Sequence, residues 1–579
     1  MRYLLLIPFF LFAYAASTQT NTRFVNPSVD EIVKGNYNAQ DYAATSETNP
    51  QEVSLAIEKA INPDSLKSYL IRMSEFETRH TSSDTTSIST GIGAARDWAL
   101  RRFEKISDER DGRLETSFLH WEKDVCGRVK HKNICAVLPG KNPAADIIII
   151  EAHFDSRCDT RCDDTCVAHG MEDNGSGSAL LLELTRVMSE YQFERTILFM
   201  LTVAEEQGLD GARALAGYCV DESIEIAAVL NNDVIGGIIC GETSSPPSCH
   251  TEGGIDSTQV RIFSAGSAFS PNKQLARYVK LQYQQELRAK VSVPMAITIM
   301  AAEDRTGRGG DHIPFRQNGF AAVRFTSANE HGDANTASAS YEDRQHTSDD
   351  ILGMDTDNDG EIDEWYVDFN YLARNASINA NAAVMIAQEV CTPELISVDQ
   401  TTWKNLEVEV GTNDCDADSF VLAIRSETND WDTLLYFNSS NTTVEAPNLT
   451  SGNTFVSIAA VNDDGVESLF SQETIITTVG FGEKAQPKKG IELLQNRPNP
   501  FDEATSIVFL VHEMPAEKEA TLTIQDVDGQ VLRQERIPLK LGANEVVYTH
   551  GYGHTSTLVY TLSIGDRLID SKKMGFVAY

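Results

Sequence analysis

Apolar and polar positions follow two rhythms along this chain, and the change falls near residue 391. In GIGAARDWALRRFEKI (91–106), Ile92, Ala95, Trp98, Ala99, Leu100 and Phe103 recur near helical spacing, with Arg101, Arg102, Glu104 and Lys105 outside. That spacing predicts an amphipathic helix, and the stretch 22–120 carries helical patterns. From about 125 to 390, unbroken apolar runs such as IIII (147–150), ILFMLTV (197–203) and AAVL (227–230) alternate with helical stretches such as GSALLLELTRVMSEY (177–191). The alternation predicts an α/β domain, a mixed β-sheet flanked by helices. After Cys391, short alternating strands such as NLEVEV, SFVLAI and TFVSIAAV are separated by Asn, Asp, Ser and Gly turns, which predicts small all-β sandwiches.

Five side chains with metal-ligand chemistry stand at or just beyond these apolar runs: His153, Asp173, Glu206, Asp233 and His346. In open α/β sheets, loops converge outside the carboxyl ends of the strands, so residues placed there can share one crevice. Asp155 follows His153 by two, and a ligating histidine gives its other ring N–H to a carboxylate or carbonyl. Asp173 lies in the turn MEDNGSG, where Gly175, Ser176 and Gly177 allow close backbone approach. The adjacent carboxylates Glu205 and Glu206 repel each other in a dry crevice unless a cation neutralises them. With metals present, one ligates and the other handles protons. Two histidines and three carboxylates suit zinc, and also manganese or cobalt.

The ordered motifs AHFDS, MEDNGSG, AEEQGLDG, NND and QHTSDD resemble those of the co-catalytic zinc exopeptidases of metallopeptidase family 28, over roughly residues 60–390. The resemblance implies two zinc ions bridged by Asp173, with His153 and Asp233 on one and Glu206 and His346 on the other. It also implies Glu205 as general base, Asp155 orienting His153, and an aminopeptidase acting on peptide or protein substrates. Glu172 departs from the aspartate common in that family; it is not one of the implied ligands. GGDHIPFRQNGFAAVRF (309–325) resembles glutaminyl cyclases of the same fold, which use one zinc and lack the first histidine. The presence of His153 favours hydrolysis. Carboxypeptidase activity and a non-catalytic surface adhesin are the remaining alternatives.

The rest of the chain sets the context. At 579 residues it exceeds one domain, since about 150 residues per domain suggests three or four. MRYLLLIPFFLFAYA, with Ala13 and Ala15 in a cleavage pattern, reads as a signal peptide over 1–15. No later segment reaches the roughly 20 apolar residues a membrane span requires. The catalytic domain is expected over 22–390, with 16–60 a candidate pro-segment. LTSGNTFVSIAAVNDDGVES resembles a fibronectin type III domain, expected over 391–480, although Phe455 stands where that family usually has Tyr. A polar linker (481–490) leads to 491–579, whose ELLQNRPNPF, ATLTIQDVDGQVL and SKKMGFVAY resemble the C-terminal sorting domain of the type IX secretion system. That resemblance implies the secretion machinery as a partner and a secreted or surface-attached location.

The net charge of −37 argues against nucleic acid, which requires clustered basic residues. Ten cysteines in an exported chain read as disulfides, with Cys126–Cys135, Cys240–Cys249 and Cys391–Cys415 as natural neighbours and the pairing of Cys158, Cys162, Cys166 and Cys219 open. A zinc knuckle is the weaker reading of the Cys158, Cys162, Cys166 cluster. DTDNDGEID (355–363) places Asp355, Asp357, Asp359 and Asp363 around Gly360 like half a calcium loop, with Tyr366 where an EF-hand has its bidentate Glu. Calcium and a solvated acidic insert are both open there.

Overall fold

The structure is a computed structural model. It describes residues 19–576 apart from 45–48, 240–253, 267–269, 301, 305–308, 330–343, 389, 403–404, 412–416, 418, 427–429, 447–451, 479–489, 497–498, 502–503, 528, 550–555 and 566. The expected signal peptide, Cys240, Cys249, Cys415 and nearly all of the expected linker lie outside the described residues.

One nine-stranded sheet organises the α/β domain. Its strands are β1 (Thr20–Phe24), β2 (Glu115–Val125), β3 (Arg128–Leu138), β4 (Ile147–His153), β5 (Ile197–Thr202), β6 (Ile226–Asn232), β7 (Gln259–Ser264), β8 (Ala296–Ile299) and β9 (Ala322–Ser327). They lie in the order β1-β2-β3-β5-β4-β6-β9-β7-β8. The centre, β5, β4, β6 and β9, is parallel, and β1 to β3 extend it antiparallel on one side. Parallel strands are covered on both faces, which is why β4 is an apolar run rather than an alternation. Ile148 and Ile150 lie in the same buried cluster as Leu180 and Leu184 of the helix Ser176–Met188, while Ile147 and Ile149 lie in a second cluster with Leu215 and Ala216 of the helix Asp210–Asp221.

The N-terminal stretch carries the helix expected at 91–106, observed over Gly91–Asp108, and its two ends are β1 and β2, strands of the central sheet. Between them, residues 50–60 form a helix whose Val53 and Ile57 are buried in the main core, and Ser54 Oγ donates to Asn381 Oδ1 at 2.8 Å. Region 20–60 is thereby built into the domain wherever it is described.

After residue 391 come a three-stranded and a four-stranded sheet, then a second such pair from residue 491 onward. The first pair is fixed to the α/β domain by the helix Pro271–Gln282: Tyr278 OH donates to Glu467 O at 2.8 Å and Gln282 Nε2 to Glu467 Oε2 at 2.7 Å. Phe455 packs against Val508 of the second pair. None of the described helices is long and apolar enough to cross a membrane.

The disulfides differ from nearest-neighbour pairing. Cys126 bonds Cys162, and Cys158 bonds Cys166, while Cys135 and Cys219 are free and buried. Cys135 points into the sheet interior from β3, out of reach of Cys126 at the β2–β3 turn, so separation along the chain misleads. The zinc-knuckle reading fails with it, because the three clustered thiols are all consumed. Cys391 is disulfide-bonded.

Candidate metal centre

The sheet ends converge as the spacing of the motifs suggests. His153 is the last residue of β4, paired in register with Thr202 of β5. Its Nε2 lies 3.0 Å from Asp173 Oδ1 and 3.3 Å from Asp233 Oδ1. His346 Nε2 lies 3.1 Å from Asp173 Oδ2 and 3.1 Å from Glu206 Oε2. Two donor groups result, His153/Asp173/Asp233 and Asp173/Glu206/His346, each with its ligand atoms within 4.8 Å of one another. Asp173 belongs to both.

Local structure explains each placement. Asp173 sits in a turn ahead of the helix Ser176–Met188, where Asp350 accepts from the amides of Glu172 (2.8 Å) and Asp173 (2.9 Å). Asn174, joined to Asp173 by a cis peptide bond, donates to Asn232 O at 2.8 Å and accepts from Gly177 N at 2.9 Å. A Cβ at Gly177 would meet Asn232 O at 2.2 Å, so that position requires glycine. Ala204 adopts a φ of 63°, turning the chain at the end of β5 so that Glu205 and Glu206 face the crevice.

Asp155 acts through both main chain and side chain. His153 Nδ1 is 3.1 Å from its carbonyl oxygen and 3.7 Å from its carboxylate, whose oxygens take the amides of Glu205 (3.2 Å) and Glu206 (3.4 Å). The residue therefore ties the β4 and β5 ends together.

Electrostatics follow from crowding acids out of water. Burial raises the Glu205 carboxyl well above its ordinary value; His153 opposes this, while Asp233, Glu206 and Asp311 add to it. Burial works against a charged His346, yet Glu206 and Asp173 outweigh it and hold the ring's pKa at about 9. His153 is raised in the same way, against burial, chiefly by Asp233 and Glu205. For Asp173, burial is outweighed by the two imidazoles, which pull its carboxyl well below the usual range. Protons on two histidines thus balance the carboxylates where divalent cations would do so more fully. Glu206 Oε1 is buried without a hydrogen-bond partner among the described residues, as an oxygen reserved for a cation would be. The donor set fits zinc.

Several contributors escaped the sequence reading. Asp350, its carboxyl pushed up to about 7 by burial, was visible only as part of QHTSDD. Arg324 places Nε 3.2 Å from Asp233 Oδ2, from a strand position that reads as core. Glu151 is fully buried in the middle of the β4 run, and burial followed by Asp311 raises its carboxyl well above normal. Arg157 donates from Nε to Glu206 Oε2 at 2.8 Å, and its Nη2 lies 2.7 Å from His346 Nδ1.

The acidic insert is separate from this centre. Asp355, Asp357 and Asp359 bring oxygens within 4.8 Å of one another, whereas Asp363 falls outside that group and accepts from Thr356 N and Oγ1.

Residues 133–365 match the sequence model of Peptidase family M28. A "Probable zinc metalloprotease" of Leptosphaeria maculans is 28% identical over 371 residues, covering 62% of this chain and 81% of its own length. Another of that name from Pyricularia oryzae is 29% identical over 410 residues, covering 67% and 75%. Among solved structures, the LapA aminopeptidase of Legionella pneumophila aligns at 19% identity and a TM-score of 0.43, over 60% of this chain and 78% of that one. A glutaminyl cyclase from an Acidobacteriales bacterium aligns at 18% and 0.39, over 60% and 97%. Structural likenesses this loose decide nothing about the reaction. The sequence matches do: the chain is a metallopeptidase. It is a zinc enzyme, and the matched segment carries all five candidate ligands, four on converging strand ends and turns and His346 in the loop beyond β9.

Proposed function

We propose that this protein is a secreted aminopeptidase that removes N-terminal residues from peptides, using two zinc ions and Glu205 as general base. The observation that carries the reading is the sharing of Asp173 between two donor groups, with Glu205 half-buried beside them and its carboxyl raised well above its ordinary value. One zinc would be held by His153, Asp173 and Asp233, the other by Asp173, Glu206 and His346. Bound there, zinc supplies a polarised scissile carbonyl and a water whose pKa falls toward neutrality.

The chain's own residues do the rest. Glu205, half-buried and repelled by neighbouring acids, is suited to take a proton from the attacking water and return it to the leaving amine. Asp155 keeps His153 and the Glu205–Glu206 backbone in register with one another. Asp350 clamps the amide of Asp173, so the shared carboxylate keeps both oxygens directed at the two histidines.

The units after residue 391 are read as a fibronectin type III-like domain and a type IX sorting domain, which supports export. That support is the pairing of a three-stranded with a four-stranded sheet in each, together with the sequence resemblance. A calcium role for Asp355, Asp357 and Asp359 rests on their proximity, and millimolar calcium that leaves the melting temperature unchanged would argue against it.

Incubation of the purified protein with Leu-p-nitroanilide and with peptides bearing N-terminal Gln tests the reading. Chelator-sensitive release of single N-terminal residues supports it. Cyclisation of Gln without amide cleavage overturns it.

A further inference from the structure

A cavity of about 220 Å³ lies apart from the metal centre, between the helix Pro50–Ala60, the helix Phe369–Ile386 and the chain that enters β8. None of its lining residues is a candidate metal ligand. Sites for drug-sized ligands run to roughly 300–1,000 Å³, so this volume suits a smaller molecule.

The lining divides by chemistry. Ile61, Val291, Val293 and Met295 give it an apolar side. Glu58, Tyr283 and Arg374 bring a negative charge, a hydroxyl and a positive charge to the same space.

Each of these three keeps hydrogen-bonding capacity that the protein does not use. Arg374 donates from Nη2 to Ser257 O at 2.7 Å, while Nη1 has no partner among the described residues. Tyr283 is 2% exposed; its OH accepts the Met295 amide at 2.8 Å, and the hydroxyl hydrogen has no acceptor among the described residues. The Glu58 carboxylate makes no ion pair or hydrogen bond among the described residues, and burial raises it above its ordinary value, opposed by its chain neighbour Lys59. Polar groups turned away from water without partners cost free energy, so three around one space form the complement of a ligand.

The two charges narrow the ligand further. Glu58 and Arg374 make no ion pair with each other, although burial, then the Met295 amide, and both of these charges act on the Tyr283 hydroxyl. A purely anionic ligand would bring a like charge to Glu58, and a purely cationic one would do the same to Arg374. A molecule carrying both charges satisfies both residues.

We propose that this cavity binds a free amino acid with an apolar side chain. Arg374 Nη1 and the Tyr283 hydroxyl donate to its carboxylate, charge-assisted contacts of the stronger kind. Glu58 accepts from its ammonium, and its side chain lies on Ile61, Val291, Val293 and Met295. The reaction proposed above releases molecules of this class.

Calorimetry on the zinc-loaded protein with L-leucine, leucinamide and isocaproate tests this without turnover. Leucinamide lacks the carboxylate and isocaproate the ammonium. Leucine should bind about tenfold or more tightly than either, because each analogue leaves a charged group unmet. Arg374→Gln should bring leucine down to the leucinamide level, and Glu58→Gln should bring it down to the isocaproate level. Thermal melting and zinc content, measured on both variants, show that fold and metals persist; Glu58→Gln, at a half-buried helix position, keeps the test open if Arg374→Gln fails to fold. Equal binding of the three ligands, or no heat at millimolar leucine, overturns the proposal. So does a preference for leucine that survives in the folded, zinc-loaded variants, which would place the leucine at the metal centre. Should the protein cleave no peptide, the aminopeptidase reading fails, and the binding ratios still decide what the cavity holds.

Discussion

Asp173 stands between two histidines, with Oδ1 3.0 Å from His153 Nε2 and Oδ2 3.1 Å from His346 Nε2. One carboxylate thus joins two donor groups that come from strand ends and loops far apart in the chain. Its replacement should affect both metals together. Asp173→Ala is expected to lose zinc from both positions and all measurable peptidase activity; plasma spectrometry that still finds two zincs per chain would contradict the shared role.

Glu205 should separate chemistry from metal binding. Glu205→Gln keeps the shape and removes the base, so kcat should fall about 10²- to 10⁴-fold, the span typical of a positioned general base. Zinc content should not change. A variant as active as the wild type would remove Glu205 from the mechanism.

The pH response follows from His346, whose ring is held to about 9 in the metal-free protein against an ordinary 6.5. A raised folded-state value gives stability that is complete below pH 6.5 and is lost as pH rises through 9. Zinc competes with that proton, so apparent zinc affinity should rise across the same window. Melting of the chelated protein and zinc titrations at pH 6.5 and pH 9 check both signs. A pH-independent affinity would count against His346 as a ligand.

The Cys126–Cys162 bond spans 36 residues and ties the loop bearing Arg157 to the β2–β3 turn. Chain-entropy reasoning gives such a closure about 3 to 4 kcal/mol. The double variant Cys126→Ser/Cys162→Ser should lose stability of that order in urea denaturation. An unchanged midpoint would show that the loop is held by other contacts.

Ile57 tests whether the N-terminal region belongs to the folded domain. It is fully buried in the main core. Ile57→Ala should cost about 2 to 5 kcal/mol, as for other buried aliphatic truncations. A near-zero effect would mean that 50–60 can detach, as a pro-segment does.

Much of this centre was legible because its parts are local signals. An apolar run covered on both faces ends abruptly, and the residue after it is at a sheet edge whatever else the chain does; His153, Glu206 and Asp233 follow that rule. Arg157, Arg324 and Glu151 carry no such signal. A strand arginine or glutamate reads the same whether it faces solvent, pairs with an acid or lies buried beside Asp311. Cys126 gave a false lead for a related reason: Cys135 is near in sequence, but the β2–β3 hairpin carries it into the core while a distant loop brings Cys162 back to the turn.

The order of motifs and the periodicity of the strands determined the α/β class, the succession of β units and the kinds of donor atom present, because these depend on side-chain chemistry and on spacing along one chain. Only the tertiary structure decided that Asp173 spans both donor groups, that Asp155 works through its carbonyl as well as its carboxylate, and that a guanidinium leans on two candidate ligands. Those are distances between segments far apart in sequence, set by how the sheet order brings the ends of β4, β5 and β6 to one edge.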